Sequence, residues 1–217
     1  MSFQGNIEAN CPSCTDGFEA PIWSFVHGGK DQELRNQAKA SECNLLLCPS
    51  CGAAFLPEAA WIYYEPDDEI LAFVFPNSYK AEEAKWRDKM KADFAAMRGA
   101  LGGKLPVGHE PEVFFGPEGL AALLESEDWR RDERDVMSYY AKDLDLSVYS
   151  ASPAWARAHG APSRLPYVGK VPTRDSIIAG IKKLVAANDR LTAWSDYLAK
   201  LEKDAAAGVP PAAVSEK

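Results

Sequence analysis

The feature that most constrains this chain is a four-residue motif that occurs twice, as Cys11-Pro12-Ser13-Cys14 and as Cys48-Pro49-Ser50-Cys51. In each copy, here called a knuckle, two cysteines are one tight turn apart, so both sulfurs can bind the same metal ion. Two knuckles supply four soft thiolate ligands, which form the tetrahedral sulfur shell that zinc prefers. We therefore predict one structural Zn²⁺ held by Cys11, Cys14, Cys48 and Cys51.

The spacing and flanks of the two knuckles add detail to this prediction. The 33 residues between Cys14 and Cys48 are about twice the gap of a compact zinc ribbon, so the intervening segment should form a strand–helix–strand unit of its own. Gly52 follows the second knuckle directly and supplies a permissive backbone that lets amides turn toward the sulfurs. Thr15 stands at the equivalent position of the first knuckle, which we expect to be the looser of the two.

Charge is distributed unevenly along the 217 residues, whose net charge is −8. Residues 1–75 carry three basic and eleven acidic side chains, so the whole excess (3 − 11 = −8) lies there. Nucleic-acid binding needs cations that displace counterions from phosphates, and this composition argues against it. A partner protein with a basic surface suits the acidic region better.

Hydropathy and cysteine usage bear on the compartment. The longest apolar runs, such as residues 70–75, are far shorter than a membrane span requires. The first residues lack the basic flank and apolar core of a secretory signal. Five cysteines, four of them in the knuckles, fit a reducing compartment better than a disulfide framework. We expect a cytoplasmic protein without a membrane segment.

Periodicity predicts the elements of an N-terminal domain at residues 1–103. The strand segments are rich in aromatic and β-branched residues, and the closing helix carries an apolar stripe that ends at a glycine pair. The predicted elements are a strand at 18–29, a short helix at 31–39, strands at 53–65 and 69–75, and a helix at 78–101.

The rest of the chain predicts a mainly helical region at residues 104–206. The Gly/Pro-rich segment 104–111 is the predicted domain boundary. Further along, the sequence predicts a helix at 116–142, a long Pro/Gly-rich loop at 150–172, a helix with a near-heptad apolar seam at 174–206, and a disordered tail at 207–217.

These elements together predict an α+β fold. Its N-terminal part is a zinc-ribbon-like β domain with a short helical insertion, and its C-terminal part is mainly α-helical.

Several segments of the N-terminal domain resemble a known family. They are both knuckles, the aromatic strand around Trp23-Ser24-Phe25, the block at 44–52 that contains the second knuckle, and Tyr63-Tyr64-Glu65-Pro66 with the strand through Phe75-Pro76. In these respects the chain resembles the CpXC-motif family of bacterial and archaeal proteins, over about residues 6–100. The resemblance implies a zinc-binding fold and no particular activity.

Other uses of the cysteines and histidines stay open. A Cys-x-x-Cys can be a dithiol redox pair, although neither knuckle follows a strand and precedes a helix in the thioredoxin manner. We expect Cys43 to be a buried apolar residue rather than a fifth ligand. His27, His109 and His159 are far apart in sequence, and we expect a solvated loop position for each.

The function that these observations favour is a non-catalytic interaction or assembly subunit. It would recognise another protein, a basic one, through the acidic zinc domain or through the helix at 174–206, and homo-oligomerisation stays open. The main alternative is an enzyme whose site lies between the zinc domain and the helical region, with His109, Glu110 and His159 as the nearest acids and bases. Nucleic-acid binding and dithiol redox chemistry are less favoured.

Overall fold

The computed structural model describes residues 1–100 and 109–203. These residues form helices together with mixed and antiparallel sheets, so the protein is α+β, as predicted. The chain divides into two compact units, Met1–Glu125 and Ser126–Lys217, which we call the N-terminal and the C-terminal unit. Within the described ranges, no helix has the length and apolar character needed to cross a membrane.

The described part of the N-terminal unit contains seven strands and several helical segments. The strands are β1 (Phe3–Asn10), β2 (Gly17–His27), β3 (Leu46–Leu47), β4 (Ala54–Phe55), β5 (Trp61–Glu65), β6 (Ile70–Phe75) and β7 (Glu112–Phe115). The helical segments are α1 (Gln32–Lys39), a 3₁₀ helix (Asn77–Glu82), α2 (Glu83–Ala100) and the first turns of α3 (Glu118–Asp143).

The main sheet has five strands in the order β1-β2-β5-β6-β7. The pairs β1–β2 and β5–β6 are antiparallel, whereas β2–β5 and β6–β7 are parallel. Parallel neighbours need a crossover connection, and α1 and α2 supply one each. The strands β3 and β4 pair only with each other and form a separate antiparallel ribbon.

Strand β6, which lies between β5 and β7, is apolar and buried at every position, so the main sheet is covered on both faces there. Successive side chains of a strand point to opposite faces, so β6 contributes to two cores. One core holds Ile70, Ala72 and Val74 with Leu34 of α1 and Leu120 of α3, and the other holds Leu71, Phe73 and Phe75 with Met90 of α2.

A buried ion pair lies at the end of β5. The Arg35 Nε of α1 donates to both carboxylate oxygens of Glu65, at 3.0 and 3.1 Å, and both side chains are buried. The Tyr63 hydroxyl donates to Glu65 Oε2 at 2.5 Å. Buried charges are tolerated when they are paired and hydrogen-bonded in this way, so these contacts fix α1 against the sheet.

The structure differs from three expectations in this unit. The segment 53–65 is not one strand, because Pro57 cannot donate to a ladder and separates β4 from β5. The helix expected at 78–101 starts as a 3₁₀ helix and becomes α-helical at Glu83. Strand β1 was not predicted, since most of its side chains are exposed and it carries no alternation of apolar residues.

The division between the units falls later than the sequence suggests. The expected boundary at 103/104 and most of the segment 104–111 lie outside the described residues. The next strand, β7, pairs in parallel with β6, so residues 112–115 belong to the N-terminal sheet. The division itself falls inside α3, between Glu125 and Ser126. A four-residue apolar segment does not reveal such a non-local pairing.

The C-terminal unit packs helices against a two-stranded ribbon. Its elements are the remainder of α3, β8 (Ser147–Ser150), α4 (Pro153–His159), β9 (Arg164–Tyr167), α5 (Arg174–Ala187) and α6 (Thr192–Lys203). Strands β8 and β9 are antiparallel. The core brings together Met137 and Ala141 of α3, Leu165 of β9, Ile177, Ile181 and Leu184 of α5, and Trp194, Tyr197 and Leu201 of α6.

The loop expected at 150–172 is structured, so that expectation was wrong. Pro153 occupies the first turn of α4, Ser152 caps that helix, and Gly160 ends it in the left-handed conformation with φ +55°. Strand β9 follows within the same stretch. Proline and glycine mark helix ends as well as loops, and the sequence alone did not separate the two cases.

The single helix expected at 174–206 is two helices, which is a second correction. α5 ends at Asn188, whose backbone is extended (φ −148°) and whose Oδ1 accepts from the Arg190 amide. The apolar seam continues through this break because both helices bury it in the same core. Residues 204–206 and the tail at 207–217 lie outside the described residues.

Candidate metal centre

The two knuckles occupy the turns of two antiparallel hairpins. The first connects β1 to β2, and the second connects β3 to β4. In each knuckle the amide of the first cysteine donates to the carbonyl five residues on, and the amide four residues on donates back to the carbonyl of that cysteine. All four of these bonds, which involve Cys11 and Cys48, measure 2.9 Å. The knuckles therefore share one backbone hydrogen-bond pattern.

This shared pattern requires a left-handed residue at the fourth position after the first cysteine. Gly52 takes that conformation in the second knuckle with φ +72°, and Thr15 takes it in the first with φ +64°. The Thr15 hydroxyl also donates to the Cys14 carbonyl at 2.6 Å. Thr15 thus adopts the left-handed conformation that Gly52 adopts in the second knuckle. The first knuckle therefore has the same backbone hydrogen bonds as the second. Sequence reasoning missed this role because β-branched residues rarely adopt positive φ.

The hairpins bring four sulfur atoms together. Sγ of Cys11 lies 3.6 Å from Sγ of Cys51, Sγ of Cys14 lies 3.5 Å from Sγ of Cys48, and all four sulfurs are within 4.8 Å of one another. A tetrahedral site with Zn–S bonds of about 2.3 Å has S···S edges of about 3.8 Å. The sulfurs are far outside disulfide distance, which is about 2.05 Å. This group could hold a metal ion, as the sequence predicts.

Burial alternates within the cluster. The first cysteine of each knuckle, Cys11 or Cys48, is buried, whereas Cys14 is half-buried and Cys51 is exposed. Each of the two closest contacts joins a buried sulfur of one knuckle to an outer sulfur of the other. The cluster is therefore anchored in the fold on one side and accessible to solvent on the other.

The thiols influence one another strongly. Burial raises the pKa of Cys11, but the amides of Cys14 and Ser13 and the adjacent thiols outweigh burial and lower that pKa to about 6. The amide of Asp16 lowers the pKa of Cys14, yet burial and the thiols of Cys48, Cys11 and Cys51 outweigh it and raise that pKa to about 12. One thiolate thus forms readily while a neighbour resists ionisation. Four thiolates need a cation between them, which fits a divalent metal ion.

The fifth cysteine lies outside the cluster. Cys43 is buried in the core between the sheet and α1, and desolvation raises the pKa of its thiol to about 12. It is therefore a buried apolar residue, as expected, and it contributes no thiolate to the knuckles.

Among the described residues, the group that could hold a metal ion consists of four cysteines and includes neither a histidine nor Glu110. His27 ends β2, where it is buried and its ring lies edge-on to Tyr64, so the expectation of a solvated loop position was wrong. Glu110 and His109 belong to the N-terminal unit, where Glu110 forms an ion pair with Lys91 at 3.8 Å. His159 belongs to the C-terminal unit and stacks on the Trp155 ring at 4.4 Å.

Comparison with known proteins supports the family resemblance. The profile of the CpXC protein family matches residues 9–125, which include both knuckles and end where the N-terminal unit ends. The match covers more than half of the chain, and the protein belongs to the CpXC family. Neither a curated protein nor a solved structure matches the chain significantly.

Proposed function

We propose that this protein is a non-catalytic interaction or assembly subunit whose N-terminal unit is stabilised by one structural zinc ion. The observation that carries the proposal is the cluster of four sulfurs, because four thiolates fill a tetrahedral zinc shell. A catalytic zinc keeps a position open for water or substrate, whereas a complete sulfur shell is typical of structural sites. The two knuckles on facing hairpins would then act as a zinc-ribbon-like element.

Zinc would contribute much of the stability of this unit. Thiolate ligation supplies about 10–16 kcal/mol in zinc-finger peptides, which is comparable to the whole stability of a small domain. Because the knuckles lie in the turns of two separate hairpins, β1–β2 and β3–β4, the ion would join parts of the fold that are distant in sequence. We expect chelation to unfold the N-terminal unit.

The interaction role is supported by charge. Residues 1–75 carry a net charge of 3 − 11 = −8, and four thiolates around Zn²⁺ add about two further negative charges. Such a surface repels nucleic acid and attracts basic proteins. The long seam of residues 174–203 does not serve this role in our proposal, since α5 and α6 bury it within the C-terminal unit.

Metal content tests the first half of the proposal. Protein purified without added zinc should contain one zinc per chain by elemental analysis and native mass spectrometry. Cys51→Ser should lose the metal, and because Cys51 is exposed, this loss would report ligation rather than packing. Cys43→Ala is the matched control and should keep it. Metal-free wild-type protein whose thiols oxidise in pairs would instead support a dithiol redox role.

Partner binding tests the second half. Native mass spectrometry after gentle lysis should show a heavier complex with wild-type protein, and should show only the single chain with Cys51→Ser. The complex should weaken as salt increases, because exposed charges are screened. A partner that binds equally well after chelation would contradict the role of zinc. A zinc-loaded chain that turns over small molecules would favour the enzyme alternative.

A further inference from the structure

The outward face of the β3–β4 ribbon is apolar. The register pairs Leu46 with Phe55 on the inner side, where Phe55 meets the Phe18 ring edge-on at 6.1 Å. Side chains alternate along a strand, so Leu45 and Leu47 share the opposite side, where they are 45% and 68% exposed. A solvated ribbon face normally carries polar side chains, and exposed apolar patches mark interaction sites.

Leu56 extends this face toward a cavity. It follows Phe55 of β4, so the alternation of side chains along a strand places it on the same side of the ribbon as Leu47, and it is 37% exposed. It also lines a half-open cavity of about 110 Å³, far larger than the roughly 10–15 Å³ that one water molecule needs. The cavity therefore has room for an apolar side chain. We call Leu45, Leu47, Leu56 and this cavity the leucine face. The apolar lining of the cavity includes Cys43, Trp61, Val74 and Phe75.

The leucine face is held in place at both ends. Just before it, the Asn44 side chain accepts from the Trp23 amide at 2.7 Å and donates to the Trp23 carbonyl at 3.0 Å. Asn44 has φ +67°, a conformation that asparagine tolerates better than most residues. The second knuckle closes the other end of the ribbon. A surface that is already ordered loses little entropy when it binds, which favours its use as a docking site.

Charge indicates what kind of partner fits this surface. The sequence has no basic residue between Lys39 and Lys80, whereas Glu42 and Glu58 are exposed beside the ribbon, and Glu58 also lines the cavity. A second copy of this chain would bring the same negative charge, and so would a nucleic acid. A protein segment that carries positive charge complements the surface.

We propose that the leucine face docks a short segment of another protein in which one bulky apolar residue is flanked by lysines or arginines. The apolar side chain enters the cavity beside Leu56, and the flanking cations lie near Glu42 and Glu58. This inference rests on the proposed function, since it names the contact surface of the proposed interaction subunit.

The test uses the zinc-loaded full chain and a display library of random twelve-residue peptides. Enriched peptides should combine a bulky aliphatic or aromatic residue with flanking lysine or arginine. Their affinity should fall at least tenfold for Leu45→Ser/Leu47→Ser, because the two main exposed leucines are then lost. It should also fall for Glu42→Lys and with increasing salt.

A matched control separates the leucine face from general hydrophobicity. Val171 in the C-terminal unit has an exposed fraction of 63%, similar to the 68% of Leu47. Val171→Ser should leave peptide affinity unchanged. Zinc content and circular dichroism of the double variant should match wild type, since the replaced side chains face solvent. Failure to enrich any basic peptide, or undiminished binding by the folded double variant, would overturn the inference.

Two further outcomes have distinct meanings. If sedimentation velocity shows a wild-type dimer that the double leucine variant abolishes, the occupant is a second copy and the inference of a basic partner is wrong. If the natural complex from lysate forms equally well with the double variant but is lost with Cys51→Ser, the proposed function stands while the leucine face is rejected.

Discussion

The left-handed backbone of Thr15 leads to a quantitative prediction about the first knuckle. Left-handed φ costs a residue with a Cβ atom about 1–2 kcal/mol, while glycine loses about 0.5–1 kcal/mol more conformational freedom on folding. The difference favours Thr15→Gly by about 0.5–1 kcal/mol, less a few tenths for the exposed hydroxyl bond to the Cys14 carbonyl. If this strain is released when the metal leaves, zinc affinity should rise by about 1.5- to fourfold.

The second knuckle offers the reverse substitution. Gly52 has φ +72°, and an added Cβ would meet no atom within 4 Å, so Gly52→Thr changes only the backbone energy. We expect it to weaken zinc binding by about two- to fivefold. The double variant Thr15→Gly/Gly52→Thr, which exchanges the two knuckles, should lie near wild type. Gly5→Thr is the control, because Gly5 is equally open but has no left-handed φ.

Competition with a chromophoric chelator measures the zinc affinities, and urea unfolding of the zinc-loaded protein measures stability. If Thr15→Gly binds zinc more weakly than wild type while Gly52→Thr is tolerated, then the knuckles are not conformationally equivalent. In that case the left-handed assignment of Thr15 would be wrong.

Three more predictions concern the packing of the units. Glu65→Gln removes the carboxylate that pairs with the buried Arg35 guanidinium, and it should destabilise the N-terminal unit by about 3–5 kcal/mol in urea unfolding. The double variant Arg35→Met/Glu65→Leu should recover much of that stability, because no buried charge is then left unpaired. Equal stability of the single and double variants would contradict this. Burial, reinforced by Lys30, lowers the pKa of His27, so stability should fall as pH drops below the unfolded-state value of about 6.5, and His27→Gln should flatten that fall between pH 7 and 5; parallel stability curves would contradict it. A Cβ on Gly180 of α5 would lie too close to a backbone oxygen of β9, so Gly180→Ala should destabilise the C-terminal unit by about 1–2 kcal/mol. Gly99 in α2 is a helical position with open space around it, so Gly99→Ala should stabilise the protein by up to about 1 kcal/mol. Thermal unfolding that shows both variants to be more stable would refute the close packing at Gly180.

Local sequence patterns are sufficient to identify the residues of the candidate metal site. The spacing within each knuckle is a property of one turn, so the sequence can name all four cysteines. The pairing of Cys11 with Cys51 and of Cys14 with Cys48 depends on how two hairpins meet, and no local pattern contains it. The family resemblance is confirmed because the knuckles and the strands after them form a long and specific pattern.

Elements were missed where the local signal was ambiguous or absent. The apolar residues of α5 and α6 keep nearly the same spacing across Asn188, because both helices bury them in the same core. The spacing therefore predicts one helix where the structure has two. Pro153 and Gly160 mark the two ends of α4, although proline and glycine at such spacing also predict a loop. Strand β1 is mostly exposed, so its pairing with β2 gives no hydrophobic pattern.

The division of the chain into two units with separate cores has a calorimetric consequence. Because each unit has its own core, we expect heating to give two transitions, in which case one midpoint temperature would not describe the unfolding. A ligand that binds only the folded N-terminal unit stabilises that unit by RT ln(1 + [L]/Kd) and leaves the other transition in place. Scans at graded zinc concentration should therefore shift one endotherm to higher temperature while the other stays in place. The moving peak would belong to the part of the chain that the CpXC family shares.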